Sequence, residues 1–503
     1  MGNYVGITIG PIFDTINDAA SPAALWFTST MFSDITRRLC LEIKKISNVE
    51  IFSPAFDNDD TDGIKDGIGK YHDRIIFLIK EDASSVVSDK LDKIIMSVKE
   101  NTINVFPKDT YADIGIENAQ AFLRKYLVIE YVIMNEKRLK IDENCILALS
   151  GYLDELELMR LPFSNKGNLF EKMLNGVDKD KRNQLIKKSS LITKDVKIIK
   201  EDGNIKSIED IAGVTDKKNE FKHTKYYAVV SADGDGMGKF LKELKSDNKE
   251  VTKFSKKCLE YDKNAATIIQ DFGGMPIYAG GDDLLFLAPI INKETKKSIF
   301  SLCKEINNSF KELIKSGPTI SFGISIQYYK FPLYEALKRS QQLLESAKND
   351  ISGTKNRIAM NLEKHSGQTI GLIIGNEFVE KFENFIYTSS ENSDGEKYDM
   401  TIKSIVYRLH EFRELFQIID QREINNSKIG KDEYFPWDNM FDNDGQKYAK
   451  EYLHKVQKWY YNHMIKSRVE TLDGSDSKIQ QLASILRFAK FLIERGDDND
   501  QKI

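Results

Sequence analysis

The sequence predicts an α+β protein whose centre is a ferredoxin-like βαββαβ sheet, and three observations predict it. Residues 226–233 form an apolar run that ends in a carboxylate, Asp233. Two short apolar runs, 275–279 and 284–288, flank Gly280-Gly281-Asp282-Asp283. Helix-period sequence fills the stretches before and after that pair. A continuous short apolar run is what a buried strand requires, and paired glycines between two such runs signal a hairpin.

Taken in order, the elements divide 503 residues into four units. The first, residues 1–145, opens with a β-rich run over 4–10 closed by Gly10-Pro11. A helical stretch follows from about Ser21, with Pro22 suited to a first turn and Leu25, Trp26, Met31, Phe32, Ile35 and Leu39 as its apolar residues. Residues 74–79 and 126–134 read as further strands with helical sequence between them, giving a small sheet domain. Residues 146–224 alternate Leu- and Lys-rich helical stretches with polar turns and predict a helical connector.

Residues 225–365 carry the central pattern: strand 226–233, a turn over 234–239, and helix to about Asp271. The hairpin comes next, followed by helix over 293–314, strand over 319–328 and helix over 332–349. From 366 to 503 apolar residues recur at helical spacing, as at Ile405, Leu409, Phe412 and Phe416 and again over 484–495. This predicts a helical C-terminal domain, broken by a polar loop over 389–396.

Composition narrows the class. With 41% hydrophobic and 30% charged residues the chain has the apolar mass for real cores. A net charge of -4 supplies no global attraction to nucleic acid or membrane. The lysine runs at 187–188, 194–200 and 253–257 read first as solvated helix faces. Cys40, Cys145, Cys258 and Cys303 are scattered without a CxxC pair, which speaks against a local zinc site or a disulfide framework and suits a cytoplasmic setting. No run reaches membrane-spanning length, and no membrane partner is expected.

The chemistry rests on carboxylates. Phosphoryl transfer needs a triphosphate neutralised and a hydroxyl activated, and Mg2+ or Mn2+ held by acidic side chains does both. Asp233 at the end of one strand, and Asp282 and Asp283 in the adjacent hairpin, are the candidate catalytic and metal-binding residues. Gly234, Asp235, Gly236, Met237, Gly238 and Lys239 lead from that strand into a helix whose amides suit phosphate. Gly280 and Gly281, with Lys348 and Lys355, complete the candidate nucleotide-binding set. A bare GGDD also fits a surface hairpin, and Asp-Gly-Asp-Gly alone resembles a calcium-loop fragment. Their occurrence together within one βαββαβ pattern is what points to catalysis.

With these motifs the sequence resembles the large palm-polymerase subunit of type III CRISPR effector complexes, in its III-B form. The matching blocks are Ile9-Gly10-Pro11 with Ala24-Leu25-Trp26, residues 227–239 (YAVVSADGDGMGK), residues 277–286 (IYAGGDDLLF), residues 329–348, and residues 355–359. They span about residues 4–365 in the family's order. The resemblance implies two ferredoxin-like palm domains packed face to face, a connector, and a helical C-terminal domain facing a neighbouring subunit. It also implies partner subunits, a guide RNA and a target RNA that activates the palm. The activated palm would turn ATP into an adenylate second messenger, usually a cyclic oligoadenylate.

The sequence departs from the family at three places. No HD nuclease pattern fits before Tyr4 and only six histidines occur, so DNase activity is not expected. The connector lacks the cysteines that often bind zinc in the family. Where many relatives carry an Asn-Arg pair, this chain reads Tyr71-His72-Asp73-Arg74, near Asp57, Asp59, Asp60, Asp62 and Asp66. With Asp73 and Arg74 as candidate acceptor contacts, a carboxylate would repel a triphosphate and favour a cationic ligand, although these acids also fit a solvated loop. Some members of the family that lack the nuclease domain join AMP to S-adenosylmethionine, and the resemblance makes that the candidate co-substrate. The competing readings are a diguanylate-cyclase-like enzyme, whose hairpin would normally continue with Glu-Phe, and a catalytically silent RNA-complex scaffold.

Overall fold

A computed structural model describes residues 2–17, 19–56, 68–81, 83–105, 116–160, 205–215, 221–315, 317–349, 355–390, 395–423, 434–441, 447–465, 469, 472 and 477–494. The acidic stretch 57–66, most of the connector and the lysine runs at 187–188 and 194–200 lie outside the described residues.

The chain builds two antiparallel-based sheets. The first has strands β1 (Asn3–Gly10), β2 (Val49–Ser53), β3 (Arg74–Ile79) and β4 (Val128–Asn135), in the order β2-β3-β1-β4. The second contains β5 (Tyr226–Asp235), β6 (Met275–Gly280), β7 (Asp283–Pro289) and β8 (Thr319–Tyr328), then β9 (Arg357–Glu363) and β10 (Thr369–Gly375). Its order is β10-β9-β8-β5-β7-β6. In both sheets the first and third strands of a βαββαβ unit lie at the centre, flanked by the second and the fourth. Each is therefore the ferredoxin-like arrangement that the sequence predicts. An interior of this kind needs both faces of the central strands covered, and residue alternation along β5 shows how. Ala228, Val230 and Ala232 join one core, while Tyr227 and Val229 face the other.

The helix Pro22–Lys44 fills the space between the sheets. Ser21 caps it by accepting a hydrogen bond from the Ala24 amide at 3.2 Å, and Pro22 occupies its first turn. Its Leu25, Trp26, Phe32, Ile35 and Leu39 share one core with Val5, Ile7 and Ile9 of β1 and with Ile277, Leu285 and Leu287 of the hairpin. Each such fully buried apolar side chain contributes about 1.5–3 kcal/mol, so the joint is a core rather than a wet seam. Across the second sheet, the helices Asn248–Asp271 and Ile299–Ile314 cover the opposite face.

Six expectations are corrected. A strand over 126–134 begins only at Val128, because Tyr126 closes the helix Ile116–Tyr126. Strand β2 was absent from the expected order; its half-exposed residues give it little apolar signal. The helix after Asp233 is two helices, Met237–Glu243 and Asn248–Asp271, and Asp247 caps the second. The helix expected over 293–314 starts at Ile299, after a turn organised by Asn292. Beyond residue 365 the chain is not helical at once: β10 pairs with β9, burying Ile370, Leu372 and Ile374. Helices follow from Val379–Ser390 and Gly395–Glu411 onward, so Ser389, Ser390, Gly395 and Glu396 are helical rather than loop. No helix among the described residues is long and apolar enough to cross a membrane.

Candidate active site

The hairpin β6–β7 and the strand β5 meet at Gly234. Strands β5 and β7 pair from Tyr227↔Pro289 to Ala232↔Leu284, so the turn at 281–282 hangs beside residues 233–235. A Cβ placed on Gly234 would lie 2.6 Å from Asp282 Oδ2 and 2.7 Å from Asp282 Cβ. The structure thus brings Asp233 and the Asp282–Asp283 pair together at one sheet edge. Asp233 is not the last residue of its strand, as the sequence suggested; β5 continues through Asp235.

Local chemistry explains the turn. Gly281 has φ +79°, a left-handed conformation that favours glycine. At Gly280 the Tyr278 ring folds back against the Cα, leaving no room for a side chain. The Gly281 amide donates to Asp262 Oδ2 at 3.2 Å, which fixes the turn to the helix beneath it. Asp262 is 2% exposed, and its Oδ1 has no hydrogen-bond partner.

The acids crowd one another. Burial, then the neighbouring Asp233 carboxylate, pushes Asp282 up to about 6, against the pull of Lys348. Burial raises Asp283 well above the carboxylate range, assisted by Asp282 and Asp233. Asp262 rises for the same first reason, and the nearby Lys70 opposes it. A cluster of this kind is short of positive charge.

One cation is supplied by the chain. Lys348 Nζ binds Asp233 Oδ2 and donates to the Gly234 carbonyl at 3.1 Å. Lys348 ends the helix Leu333–Lys348, and Arg357 holds that end. The Arg357 guanidinium donates to the carbonyls of Ala347, Ser346 and Asn349 at 3.0, 3.3 and 3.1 Å. A cation at a helix C-terminus satisfies orphan carbonyls and complements the helix dipole.

The remaining expected nucleotide contacts divide. Asp235 is turned away from the hairpin, accepting from Thr319 Oγ1 at 2.8 Å, Ser321 Oγ at 2.9 Å and the Asn356 amide at 2.9 Å. It ties β5 to β8 and to the start of β9. Gly236 is a left-handed helix cap, and Gly238, Lys239 and Lys355 are exposed. None of these five, nor Asp233 and Lys348, lines the neighbouring cleft; Met237 does.

That cleft, of about 410 Å³, lies between the two sheets. Asp282, Asp283, Gly280, Gly281 and Asp262 form one wall, and Arg74 of β3 with Lys70, His72 and Asp73 from the segment leading into it form the other. The two walls are joined where the Ala279 amide donates to the Gly69 carbonyl at 3.1 Å. Asp73 is pushed up to about 6 by burial and by Glu157, with Arg74 opposing. Arg74 itself is held by Glu157 at 2.9 Å and Asp154 at 2.6 Å, both on the helix Cys145–Met159. His72 pairs with Ser53 Oγ at 3.0 Å and accepts from the Arg74 amide at 3.4 Å. The sequence reading missed Asp262, Lys70 and Tyr278. Asp262 had a signal: it is a carboxylate inside the buried stripe Val251, Ser255, Cys258, Leu259.

The donor set suits a hard divalent cation, since it consists of carboxylate oxygens in an under-compensated cluster. Among the described residues no three His, Cys, Asp or Glu side chains already close around one point, and Lys348 stands against Asp233.

This geometry has known counterparts. Residues 226–359 match the Cas10/Cmr2 second palm domain. The match covers both carboxylate motifs and the Lys348 and Arg357 supports. Over 186 residues the chain is 29% identical to the CRISPR system Cmr subunit Cmr2 of Pyrococcus furiosus, which is 32% of this chain and 21% of that protein. The alignment therefore spans about a fifth of the curated relative. The fold extends further. A type III-B Cmr-beta structure in the apo state matches with TM-score 0.57 and 12% identity, covering 97% of this chain and 81% of that one. The apo Csm1-Csm4 cassette matches with TM-score 0.57 and 13% identity, covering 98% and 70%. Csm1 of T. onnurineus matches with TM-score 0.55 and 13% identity, again covering 98% and 70%. The two-sheet fold is thus shared with these solved structures, and the region that carries Asp233 matches the Cas10/Cmr2 second palm domain.

Proposed function

We propose that this chain is the nucleotidyltransferase subunit of a type III CRISPR complex and makes an adenylate second messenger from ATP. The observation that carries the reading is the convergence of Asp233 with Asp282 and Asp283 across Gly234, beside a cleft that the other sheet completes. In the proposed reaction a ribose hydroxyl oxygen forms a bond to the α-phosphorus of ATP, the bond to the β-phosphate breaks, and pyrophosphate leaves. Bound Mg2+ or Mn2+ would lower the hydroxyl pKa and neutralise the leaving phosphates. Asp233, Asp282 and Asp283 are the residues that would hold it. Lys348, steadied by Arg357, supplies a fixed positive charge at the same edge. Partner subunits, guide RNA and target RNA enter as the activating assembly.

For the acceptor, the wall across from the hairpin decides which substrate is favoured. It presents Asp73 and Glu157, while the Arg74 guanidinium is engaged by Glu157 and Asp154. A second triphosphate would meet carboxylates there, whereas the ammonium and sulfonium of S-adenosylmethionine would be attracted. We therefore favour transfer of AMP to S-adenosylmethionine. The second reading, a cyclic oligoadenylate, is favoured by solved relatives whose structures are described as Csm1-Csm4 with cA4 and with pppApA. Mass spectrometry of the product formed by the activated complex from ATP, with and without S-adenosylmethionine, separates the two. A conjugate that appears only with S-adenosylmethionine, and weakens in Asp73→Asn, supports the first. An unchanged oligoadenylate product supports the second, and a guanosine product refutes both.

A further inference from the structure

A second cavity opens in the C-terminal helices and shares no lining residue with the catalytic cleft. It measures about 590 Å³, within the 300–1,000 Å³ range of small-ligand pockets. Three elements converge on it: the β9–β10 turn, the helix Gly395–Glu411 and the helix Lys478–Ile493. Its walls carry Lys364, Lys403, Arg487 and Lys490, with His410 beside them and Glu411 as the only carboxylate among the described lining residues. In a chain of net charge -4 this is a local reversal of sign. Arg487 has no carboxylate partner among the described residues, whereas Lys490 lies 3.8 Å from Glu494. The floor is apolar, from Ile402 and Val406, and Tyr407 stands at the cavity with 67% of its surface exposed.

Cations alone would fit any polyanion, and an aromatic ring alone any flat apolar group. Together, in a concave site of this size, they match a phosphate chain joined to a base. Arginine and lysine take the phosphate oxygens, and the tyrosine ring offers a stacking face. We propose that this cavity is a second nucleotide site, binding a nucleoside polyphosphate with its phosphates on Lys403, Arg487 and Lys490 and its base against Tyr407.

The test is equilibrium dialysis of the full chain with labelled ATP in the presence of EDTA, so that metal-dependent binding in the catalytic cleft does not contribute. Inorganic triphosphate, adenosine and a single-stranded RNA oligomer serve as competitors. The proposal expects saturable ATP binding that is competed by triphosphate and unchanged in Asp282→Ala. It expects at least a tenfold weakening in Lys403→Glu with Arg487→Glu, at an unchanged unfolding temperature. Arg487→Gln and Tyr407→Ala, which alter accessible side chains, keep the test decisive should the charge reversals not fold; each should weaken binding several-fold. Absence of saturable binding, or binding indifferent to these variants, would overturn it. So would RNA binding that depends on Arg487 while ATP binding does not. None of these readouts involves product synthesis, so the proposal fails or stands apart from the catalytic assignment.

Discussion

Replacing Gly234 by alanine tests the contact on which the catalytic geometry depends. Gly234 lies opposite Ile320 within a paired strand, so the substitution leaves the backbone conformation available. The new methyl carbon would stand 2.6 Å from Asp282 Oδ2, 2.7 Å from Asp282 Cβ and 2.8 Å from Met237 Cγ. Ordinary contact for such atoms is about 3.5–4.0 Å, so the hairpin turn must retreat by about 1 Å. Overpacking of this kind costs about 1–3 kcal/mol, and a 1 Å misplacement of reacting groups lowers a rate about 100-fold. The expected result is a modest loss of stability by denaturant unfolding with about a 100-fold loss of product formation. Gly238→Ala is the matched control: its Cβ would meet no atom within 4 Å. In the helix Met237–Glu243 alanine should be neutral or stabilising by up to about 1 kcal/mol. Wild-type synthesis in Gly234→Ala, or an equal loss in Gly238→Ala, would refute the reasoning.

Lys348→Met should raise the KM for ATP about tenfold, the equivalent of about 1.4 kcal/mol for one lost charge contact, while changing stability by about 1 kcal/mol or less because the ion pair is partly solvated; steady-state kinetics and denaturant unfolding check both halves. Asp262→Ala leaves the Gly281 amide unpaired and should cost about 1–3 kcal/mol in unfolding experiments, whereas Asp262→Asn keeps an acceptor and should cost under about 1 kcal/mol. His72 is held down to about 4 by burial and by the Arg74 charge. Between pH 6.5 and 4 the unfolded chain therefore binds more protons at this position than the folded one. Its contribution to stability is complete above pH 6.5 and declines as the pH falls through that window, by about 1–3 kcal/mol. Unfolding measured from pH 7 to 4 should show a drop that His72→Gln lessens.

Much of the architecture was readable because burial imposes a period. Strands β1, β3 and β5 to β8 announce themselves as apolar runs, all but β3 with glycine or proline at an end, and the two carboxylate motifs fall where such runs end. Strands β9 and β10 also alternate, through Ile358, Met360 and Leu362 and through Ile370, Leu372 and Ile374, but they sit next to long helical stretches whose period dominated the reading. Side-chain fate was less legible. Asp235 reads as a nucleotide contact until Thr319, Ser321 and Asn356, about 85–120 residues away, take up its oxygens. Arg74 reads as an acceptor contact until the helix Cys145–Met159 brings Asp154 and Glu157 to it. Such partners are chosen by tertiary packing, which no local pattern encodes.

The most direct test compares wild type with the double substitution Asp282→Ala, Asp283→Ala in the assembled, target-activated complex. Pyrophosphate release from ATP in the presence of Mg2+ is measured alongside RNA binding. Loss of pyrophosphate release with RNA binding retained is the predicted result. Release that continues at the wild-type rate would contradict the assignment of this hairpin as the catalytic centre.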